Sequence, residues 1–460
     1  MHSDLSATGA EGARAEPARV LVIGEGQLAD ATMRAMQAGG TTVVGLHEPN
    51  DQDIREALDE RVDRVVVISR SDHVALRRAL VVAHVRPGTP TLVTIFDHHV
   101  AAELQDTADN VRVLSMADIV APALAGPCID PQLMSLVRDG DAVTGVGAVD
   151  GTPRHVPLAW RPLGLVRRAV ANLEALVRPF DASARILVYG LFGVLAVLVA
   201  ETLVTALAEG VPFVDALYSA AKVTVTVGPS PVADRAASWF KIFSTVAMLL
   251  ALGFTAVLTA GLVNRLLDPR LTGIVGRSAV PRRDHVVVVG LGQVGHRLCE
   301  LFRDLGVPVI AVELDPEATN MARAKDRRLP VVIGDGADHR TLRRLSIRRA
   351  RALAAVTSDE VENIAVAVAA RRLRHDLPIA LRAGDGDATS ETRSLFRIGV
   401  VRDVYRIAGS ALAAVVLGHD VHGAFPYEGT MYLVGDAGGI EPLLLDGSGP
   451  RTDPAASAVG

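Results

Sequence analysis

Two long apolar segments in the middle of this 460-residue chain restrict its fold more than any other feature. Residues 186–208 carry a single charged side chain, Glu201, and residues 242–263 carry none. A helix that crosses a bilayer needs about 20 apolar residues, whereas uncharged runs in buried core helices are usually shorter. The sequence therefore predicts two transmembrane helices. Because both segments lie far from the N-terminus, neither is a signal peptide.

The basic residues beside the two spans predict their orientation. Arginines that precede the first span or follow the second are Arg161, Arg167, Arg168, Arg178, Arg185, Arg265, Arg270, Arg277, Arg282 and Arg283. Basic residues concentrate on the cytoplasmic side of a membrane. We therefore expect a multi-pass protein of the cell (plasma) membrane with both termini in the cytoplasm and the connection between the spans outside.

The overall composition excludes several classes of protein. The chain has 47 basic and 52 acidic residues, a formal net charge of −5, which argues against a dedicated nucleic-acid binder. Its two cysteines, Cys128 and Cys299, are too few for a disulfide framework or a zinc cluster. The histidines His98, His99 and His419 lack metal-ligand spacing. We therefore expect no metal site and no nucleic-acid partner.

The regions on either side of the spans have the same order of predicted elements. In the first, the strand RVLVI (19–23) leads into a glycine turn, a helix and a second strand that ends near Glu48. In the second, HVVVV (285–289) leads into a glycine turn, a helix and a strand that ends at Glu313. Apolar strands alternating with helices indicate parallel sheets. The sequence thus predicts two α/β Rossmann-like, doubly wound domains and an α-helical two-span membrane module.

The two copies differ in length. They align at both ends, Gly24 with Gly290 and Gly126 with Gly418, but the first copy is shorter in between. The missing part corresponds to residues 330–345, which would supply one strand and much of one ligand-binding edge. An internal repeat with one eroded member suggests that the second copy binds a ligand and the first serves mainly for packing.

The glycine turn of the second copy, GLGQVG, predicts a nucleotide site. Gly290 allows a tight turn after the strand, Gly292 lets a pyrophosphate approach the backbone, and Gly295 lets the helix pack closely on the sheet. The phosphates would lie at the helix N-terminus, whose free N–H groups favour an anion. Glu313 stands where an acid that binds a ribose hydroxyl is usual. The remaining candidates beside these residues are Leu291, Gln293, Val294 and Leu314.

This second copy resembles the RCK, or TrkA-N, domain of potassium channels and transporters. Besides the glycine turn, VELD at 312–315, VVIGDGAD at 331–338 and VTSDEVEN at 356–363 carry the resemblance. Positions that match the family's pattern in these stretches are Gly334, Asp335, Thr357, Asp359 and Asn363. The resemblance implies that Asp335 and Thr357 line the adenine and ribose edge of the site. It also implies NAD(H) or an adenine nucleotide (ATP or ADP) as the ligand.

The membrane segment resembles the two-span pore module of potassium channels. Residues 213–223 are apolar but too short to cross a bilayer, and TVTVG follows them. Such channels have, in this order, an outer helix, a re-entrant helix, a filter, an inner helix and an RCK domain. The residues in the filter position are Thr224, Val225, Thr226, Val227 and Gly228. The resemblance implies K⁺ in the pore, a monovalent cation as the transported partner, and a homotetramer in the lipid bilayer.

The filter sequence departs from that family pattern. Family filters continue with Tyr-Gly-Asp, whereas this chain has Pro229, Ser230 and Pro231. Proline fixes φ at about −65°, and this backbone angle conflicts with the alternating carbonyl geometry of such a filter. Lys222 would place a cation behind the filter, and Glu201 is the residue expected to neutralise it. These departures bear on whether the pore conducts.

Together these patterns divide the chain into segments. The expected segments are a disordered N-terminus (1–17), a degenerate RCK-like domain (18–145), a linker with an interfacial helix (146–180), the two-span module (181–270), the nucleotide-binding RCK domain (284–418), a small C-terminal lobe (419–446) and a disordered tail (447–460).

Three functions are compatible with this organisation. The first is a channel or channel-like cation transport protein regulated by a nucleotide bound to its cytoplasmic domain. The second is a non-conducting, membrane-tethered nucleotide sensor, which Lys222 and the two prolines favour. The third is an NAD-dependent oxidoreductase. The sequence disfavours it because no second substrate domain and no acid–base pair accompany the glycine turn. We therefore expect that the protein is not an enzyme.

Overall fold

The fold consists of two Rossmann-like lobes, two small antiparallel sheets and a group of apolar helices. The computed structural model describes residues 18–139, 142–158, 182–225, 237–267, 274–275, 283–384, 399–435 and 438–444. The predicted fold class is confirmed. The predicted disordered ends, the filter sequence from Thr226 onward and the apolar residues of the predicted interfacial helix lie outside the described residues.

The first lobe is a five-stranded parallel sheet. Its elements are β1 Arg19–Gly24, α1 Gln27–Ala38, β2 Thr42–Leu46, α2 Asp51–Asp59, β3 Arg64–Ile68, α3 Asp72–Val85, β4 Thr91–Thr94, α4 His98–Thr107, β5 Val111–Leu114 and α5 Met116–Ile129. The strand order is β2-β1-β3-β4-β5. Strands β1 and β3 are valine-rich and almost wholly buried, as expected when helices cover both faces of a parallel sheet.

A three-stranded antiparallel sheet follows the first lobe, formed by β6 Leu133–Asp139, β7 Ala142–Val149 and β8 Thr152–Val156. The predicted boundary at residue 145 falls within β7, and the first part of the predicted linker forms the rest of β7, a turn and β8. Asp150 and Gly151 join these strands with φ of 51° and 74°. An Asp-Gly pair with positive φ at both residues is a strong signal for a two-residue hairpin.

The membrane module contains α6 Ala182–Glu209, α7 Phe213–Thr224 and α8 Ser238–Leu267. Two segments are long and apolar enough to cross a bilayer, Ile186–Ala208 and Ser238–Val263. The helices α6 and α8 run antiparallel and approach closely at glycines. A Cβ at Gly190 would lie 2.9 Å from the Leu258 nitrogen, and one at Gly193 would overlap the Phe254 ring. Small residues therefore let the two helix backbones meet, as is usual between membrane helices.

The short helix α7 agrees with the predicted re-entrant segment, and its Ala216, Ala220 and Val223 are buried. It extends one residue further than the sequence suggested. Thr224, predicted as the first filter residue, is helical, and its hydroxyl donates to the Ala220 carbonyl at 2.9 Å. Val225 is the C-cap residue of the helix. Neither residue therefore has the extended backbone of a filter strand.

Two polar residues of this module contact other side chains within it. The Lys222 ammonium lies 5.3 Å from the centre of the Tyr218 ring, a cation–π contact. Glu201 is buried and its Oε1 accepts a hydrogen bond of 2.7 Å from the Ser244 hydroxyl. Glu201 therefore links α6 to α8 through Ser244.

The second lobe has a seven-stranded sheet. Its elements are β9 Ile274–Val275, β10 Val286–Val289, α9 Gln293–Asp304, β11 Val309–Glu313, α10 Met321–Asp326, β12 Val331–Ile333, α11 His339–Arg344, β13 Ala352–Ala355, α12 Glu360–Leu373, β14 Ile379–Ala383, β15 Val400–Asp403 and α13 Val404–Val416. The order is β15-β14-β13-β10-β11-β12-β9, with only the edge strand β9 antiparallel to its neighbour. In the described residues, the first lobe has no counterpart of β12, as the shorter first copy predicts.

Helices of each lobe pack against helices of the other, and the two lobes share one hydrophobic core. Helix α13 of the second lobe packs on α1 of the first, and α5 of the first packs on α9 of the second. A Cβ at Gly409 in α13 would lie 2.8 Å from the Ala31 carbonyl carbon in α1. The main core cluster contains residues of both lobes, among them Val20, Leu124, Leu298 and Leu412. The lobes therefore form one body.

A second three-stranded antiparallel sheet follows the second lobe, formed by β16 Gly423–Tyr427, β17 Thr430–Val434 and β18 Ile440–Pro442. It lies in the predicted small C-terminal lobe. The His155 ring of β8 is 2.7 Å from the Gly438 carbonyl oxygen, so the two small sheets also touch. The chain thus places the same unit, a Rossmann lobe followed by a small sheet, on each side of the spans.

Candidate functional site

A cleft of about 870 Å³ opens between the two lobes, at the carboxyl ends of their parallel strands. Ligands of open α/β sheets bind at this edge. The second lobe contributes the glycine turn and the ends of β11, β13 and β14, and the first lobe contributes the ends of β1, β3 and β4. The volume is in the range of pockets for small molecules and cofactors.

The glycine turn has the geometry that the sequence predicts. Gly290 has φ +95°, a conformation that favours glycine, and a Cβ there would lie 2.8 Å from the Thr357 nitrogen. A Cβ at Gly295 would overlap the Gly290 carbonyl oxygen. Gly292 faces open space, with no atom within 4 Å of a Cβ built on it. It immediately precedes α9, so a phosphate at this point would meet the free N–H groups of the helix.

Glu313, at the end of β11, is held by backbone N–H groups. Its Oε2 accepts from the Leu291 N–H at 2.7 Å, and its Oε1 accepts from Leu314 and Asp315 at 2.8 and 3.1 Å. The carboxylate thus ties the end of the strand to the glycine turn. It also lines the cleft.

Thr357 and Asn363 form a hydrogen-bonded pair after β13. The Asn363 Oδ1 accepts from the Thr357 N–H at 2.9 Å, and its Nδ2 donates to the carbonyls of Thr357 and Arg382, both at 3.1 Å. Asn363 is 1% exposed. Its buried amide therefore holds the backbone at Thr357 and at Arg382 in place. Thr357 itself lines the cleft.

The structure brings most of the predicted site residues together. Those that line the cleft are Gly290, Leu291, Gly292, Gln293, Val294, Glu313, Leu314, Gly334 and Thr357. Gly295, Asp335 and Asn363 do not line it. Gly295 allows the close helix packing described above, and the Asp335 carboxylate accepts from the Ala337 N–H at 2.7 Å. Its neighbours Gly334 and Gly336 line the cleft, and the assignment of Asp335 to the adenine edge stays a prediction.

The glycine turn of the first lobe has a different conformation. Gly26, which aligns with Gly292, has φ +80° and ψ −178°, whereas Gly292 has φ −65° and ψ −173°. Glu48, the acid expected by analogy with Glu313, is exposed and does not line the cleft. These differences agree with the view of the first lobe as a degenerate copy.

Several cleft residues were not found from the sequence. The centre of the Phe96 ring in the first lobe lies 5.4 Å from the Arg297 guanidinium carbon and 5.2 Å from the Arg323 guanidinium carbon, both in the second lobe. Asn320 and Arg382 also line the cleft. None of them belongs to a local motif. Their roles depend on how the two lobes pack, which no local pattern reports.

Charged groups from both lobes meet beside the cleft. The Arg297 guanidinium lies 2.5 Å from Asp118 of the first lobe and 2.6 Å from Glu300. Burial raises the pKa of Asp118 despite the adjacent Arg297. His296, 3.5 Å from Glu300, lowers the pKa of Glu300 to about 2, against the effect of burial and with help from Arg297 and Arg327.

The low pKa of Glu300 predicts acid sensitivity. A carboxyl whose pKa falls on folding stabilises the protein above its unfolded pKa, and this contribution disappears as the pH falls toward the folded pKa. The pKa of the Glu300 carboxyl falls from its ordinary 4.5 to about 2, so its charged form stabilises the fold at pH 7. In thermal unfolding of the detergent-solubilised protein, Glu300→Gln should be less stable than the wild type at pH 7. The difference should shrink between about pH 4.5 and 2. A difference that does not change with pH would contradict this prediction.

Comparison with known proteins finds a domain family and several channel proteins to which this chain is similar. The TrkA-N domain model matches residues 286–402. Potassium channel protein 1 of Methanocaldococcus jannaschii is 22% identical over 242 residues, which cover 50% of this chain and 71% of the relative. The solved GsuK channel bound to NAD is 14% identical, with a TM-score of 0.47, over 88% of this chain and 64% of its own. GsuK bound to ADP is 12% identical, with a TM-score of 0.45, over 87% of this chain and 69% of its own.

The family match falls on the lobe that carries the intact glycine turn, and the relative named above is a potassium channel protein. Two apolar helices of membrane-spanning length precede this lobe. Residues 286–402 therefore match the TrkA-N domain family, and half of the chain is similar in sequence to a potassium channel protein.

Proposed function

We propose that this protein is a potassium-channel-like membrane protein in which a nucleotide bound to the second lobe regulates the passage of a monovalent cation. The observation that carries the proposal is the open space at Gly292, directly before α9 and beside Glu313. A pyrophosphate there meets helix N–H groups, and its ribose meets a carboxylate. NAD(H), ADP and ATP all carry these two groups.

The shared core supports a particular membrane topology. Because the two lobes pack into one hydrophobic cluster, both must lie on the same aqueous side of the membrane. The two spans between them return the chain to the side from which it started. The arginines that flank the spans favour the cytoplasm as this side. A pore on a symmetry axis requires several copies of the chain, and the proposed assembly is a homotetramer.

Cation flux into liposomes tests the proposal. The purified full chain is reconstituted, and K⁺ and Na⁺ uptake is measured without ligand and with NAD, ADP or ATP. The expected result is K⁺ uptake that changes when one of these nucleotides is present. A ligand can change conduction only through different affinities for the conducting and closed states. Absence of uptake for every cation in all conditions would overturn the transport part of the proposal.

A second candidate is a non-conducting nucleotide sensor in the membrane. Pro229, Ser230 and Pro231 favour it because prolines do not adopt the backbone of a potassium filter. Replacing these three residues with Tyr-Gly-Asp tests it. A nucleotide-binding protein that passes no cation either before or after this replacement supports the sensor, whereas K⁺ uptake by the wild type excludes it.

A further inference from the structure

The turn between β4 and α4 of the first lobe carries Phe96 and Asp97 to the second lobe. The Asp72 carboxylate accepts hydrogen bonds from the N–H groups of Phe96 and Asp97 at 2.9 and 3.0 Å. The Asp97 side chain also caps α4 by accepting from the His99 N–H at 2.9 Å. This turn is therefore held in one position by its own lobe.

Asp97 forms an ion pair with Arg323 of the second lobe. Its Oδ2 lies 2.6 Å from an Nη atom of Arg323, and the Arg323 guanidinium also lies over the Phe96 ring. The side chains of Asp97 and Arg323 are 26% and 39% exposed. A charge-assisted hydrogen bond at this distance fixes the direction of the guanidinium.

Hydrogen bonds through one buried side chain, Asn320, connect Arg323 to the glycine turn. Its Nη1 donates to the Asn320 Oδ1 at 3.3 Å, and the Asn320 Nδ2 donates to the Leu291 carbonyl at 3.1 Å. Asn320 is 3% exposed. Leu291 is thus held on both sides, by Asn320 at its carbonyl and by Glu313 at its N–H. The chain Asp97–Arg323–Asn320–Leu291 connects the first lobe to the nucleotide site.

We propose that Asp97 of the degenerate lobe is a positioning residue that raises the nucleotide affinity of the second lobe. It orients Arg323, which orients Asn320, and Asn320 keeps the glycine turn in the conformation that receives the phosphates. This proposal rests on the proposed function of the site. It gives the first lobe a role beyond packing, because the loss of one carboxylate there should weaken binding in the other lobe.

The test is the variant Asp97→Asn in the full-length, detergent-solubilised protein. Asparagine has the same shape and also caps helices well, so α4 keeps its cap while Arg323 loses its counter-ion. The dissociation constants of NAD and ADP are measured by calorimetry. For the nucleotide that the wild type binds, the constant should rise about five- to tenfold. The control is Asp51→Asn, which breaks an exposed ion pair with Arg77 on the same lobe, away from the cleft.

A double-mutant cycle separates positioning from general destabilisation. If Asp97 acts through Arg323, Asp97→Asn should have almost no further effect on affinity in an Arg323→Gln background. Affinity losses that add fully, or unchanged binding in Asp97→Asn, would overturn this inference and leave the proposed function intact. Failure of the wild type to bind any of NAD, ADP and ATP would instead overturn the nucleotide site itself, and the inference with it.

Discussion

Replacing Gly292 with aspartate should abolish nucleotide binding while leaving the fold intact. The position has an ordinary extended backbone and open space around a Cβ, so the fold tolerates a side chain there. The new carboxylate would occupy the place of the pyrophosphate and repel it. We expect an affinity loss of at least about 100-fold, because steric exclusion and charge repulsion act together. Calorimetry with NAD, ADP and ATP measures the loss, and thermal unfolding checks the fold.

A matched pair of variants asks which lobe binds the nucleotide. Gln293 and Gln27 are the first residues of the equivalent helices α9 and α1. Gln293→Asp should weaken binding strongly, because it places a negative charge at the helix terminus that receives the phosphates. Gln27→Asp should weaken binding much less than Gln293→Asp, because Gln27 lines the same cleft but lies at the start of the first lobe's helix and not at the helix terminus that receives the phosphates. Equal losses in both variants would contradict the assignment of the site to the second lobe.

Neutralising Lys222 should increase cation flux. In the proposed tetramer, four ammonium groups lie near the axis, directly before the filter sequence. Each raises the electrostatic energy of a permeating cation. Lys222→Gln removes these charges, and its contact with the Tyr218 ring is a surface-type interaction whose loss should not unfold α7. We expect K⁺ uptake by proteoliposomes to rise about tenfold.

The same substitution at the other lysine of this module serves as the control. Lys241 is exposed near the start of α8, outside the short helix that precedes the filter. Lys241→Gln should leave K⁺ uptake near the wild-type value. If both variants raise uptake equally, the effect comes from net charge at the membrane surface and not from a position beside the pore. Unchanged uptake in Lys222→Gln would contradict the pore arrangement.

The features predicted correctly from the sequence are those that local chemistry determines. Gly290 needs positive φ, Gly295 has no room for a Cβ, and Gly292 is open to a ligand. All three requirements follow from a strand, a tight turn and a helix in succession. The absence of a counterpart of β12 follows in the same way, since the shorter first copy has no residues to form it.

The features that were missed depend on packing between distant parts of the chain or on a turn signal that was overlooked. Helices α5 and α13 each pack against the other lobe, which brings together residues that are far apart in sequence. The hydrogen bonds from Asp97 through Arg323 to Leu291 do the same. Neither follows from periodicity or motif spacing. The hairpin at Asp150 and Gly151, by contrast, has a recognisable sequence signal.

The central claim is that a nucleotide on the second lobe controls cation passage through the membrane module. The most direct measurement is K⁺ uptake by liposomes that contain either the wild type or Gly292→Asp, each titrated with the nucleotide that the wild type binds. We predict that uptake by the wild type changes with nucleotide and saturates at its binding constant, while uptake by Gly292→Asp does not respond. The same nucleotide response in both proteins, or uptake in neither, would contradict the claim.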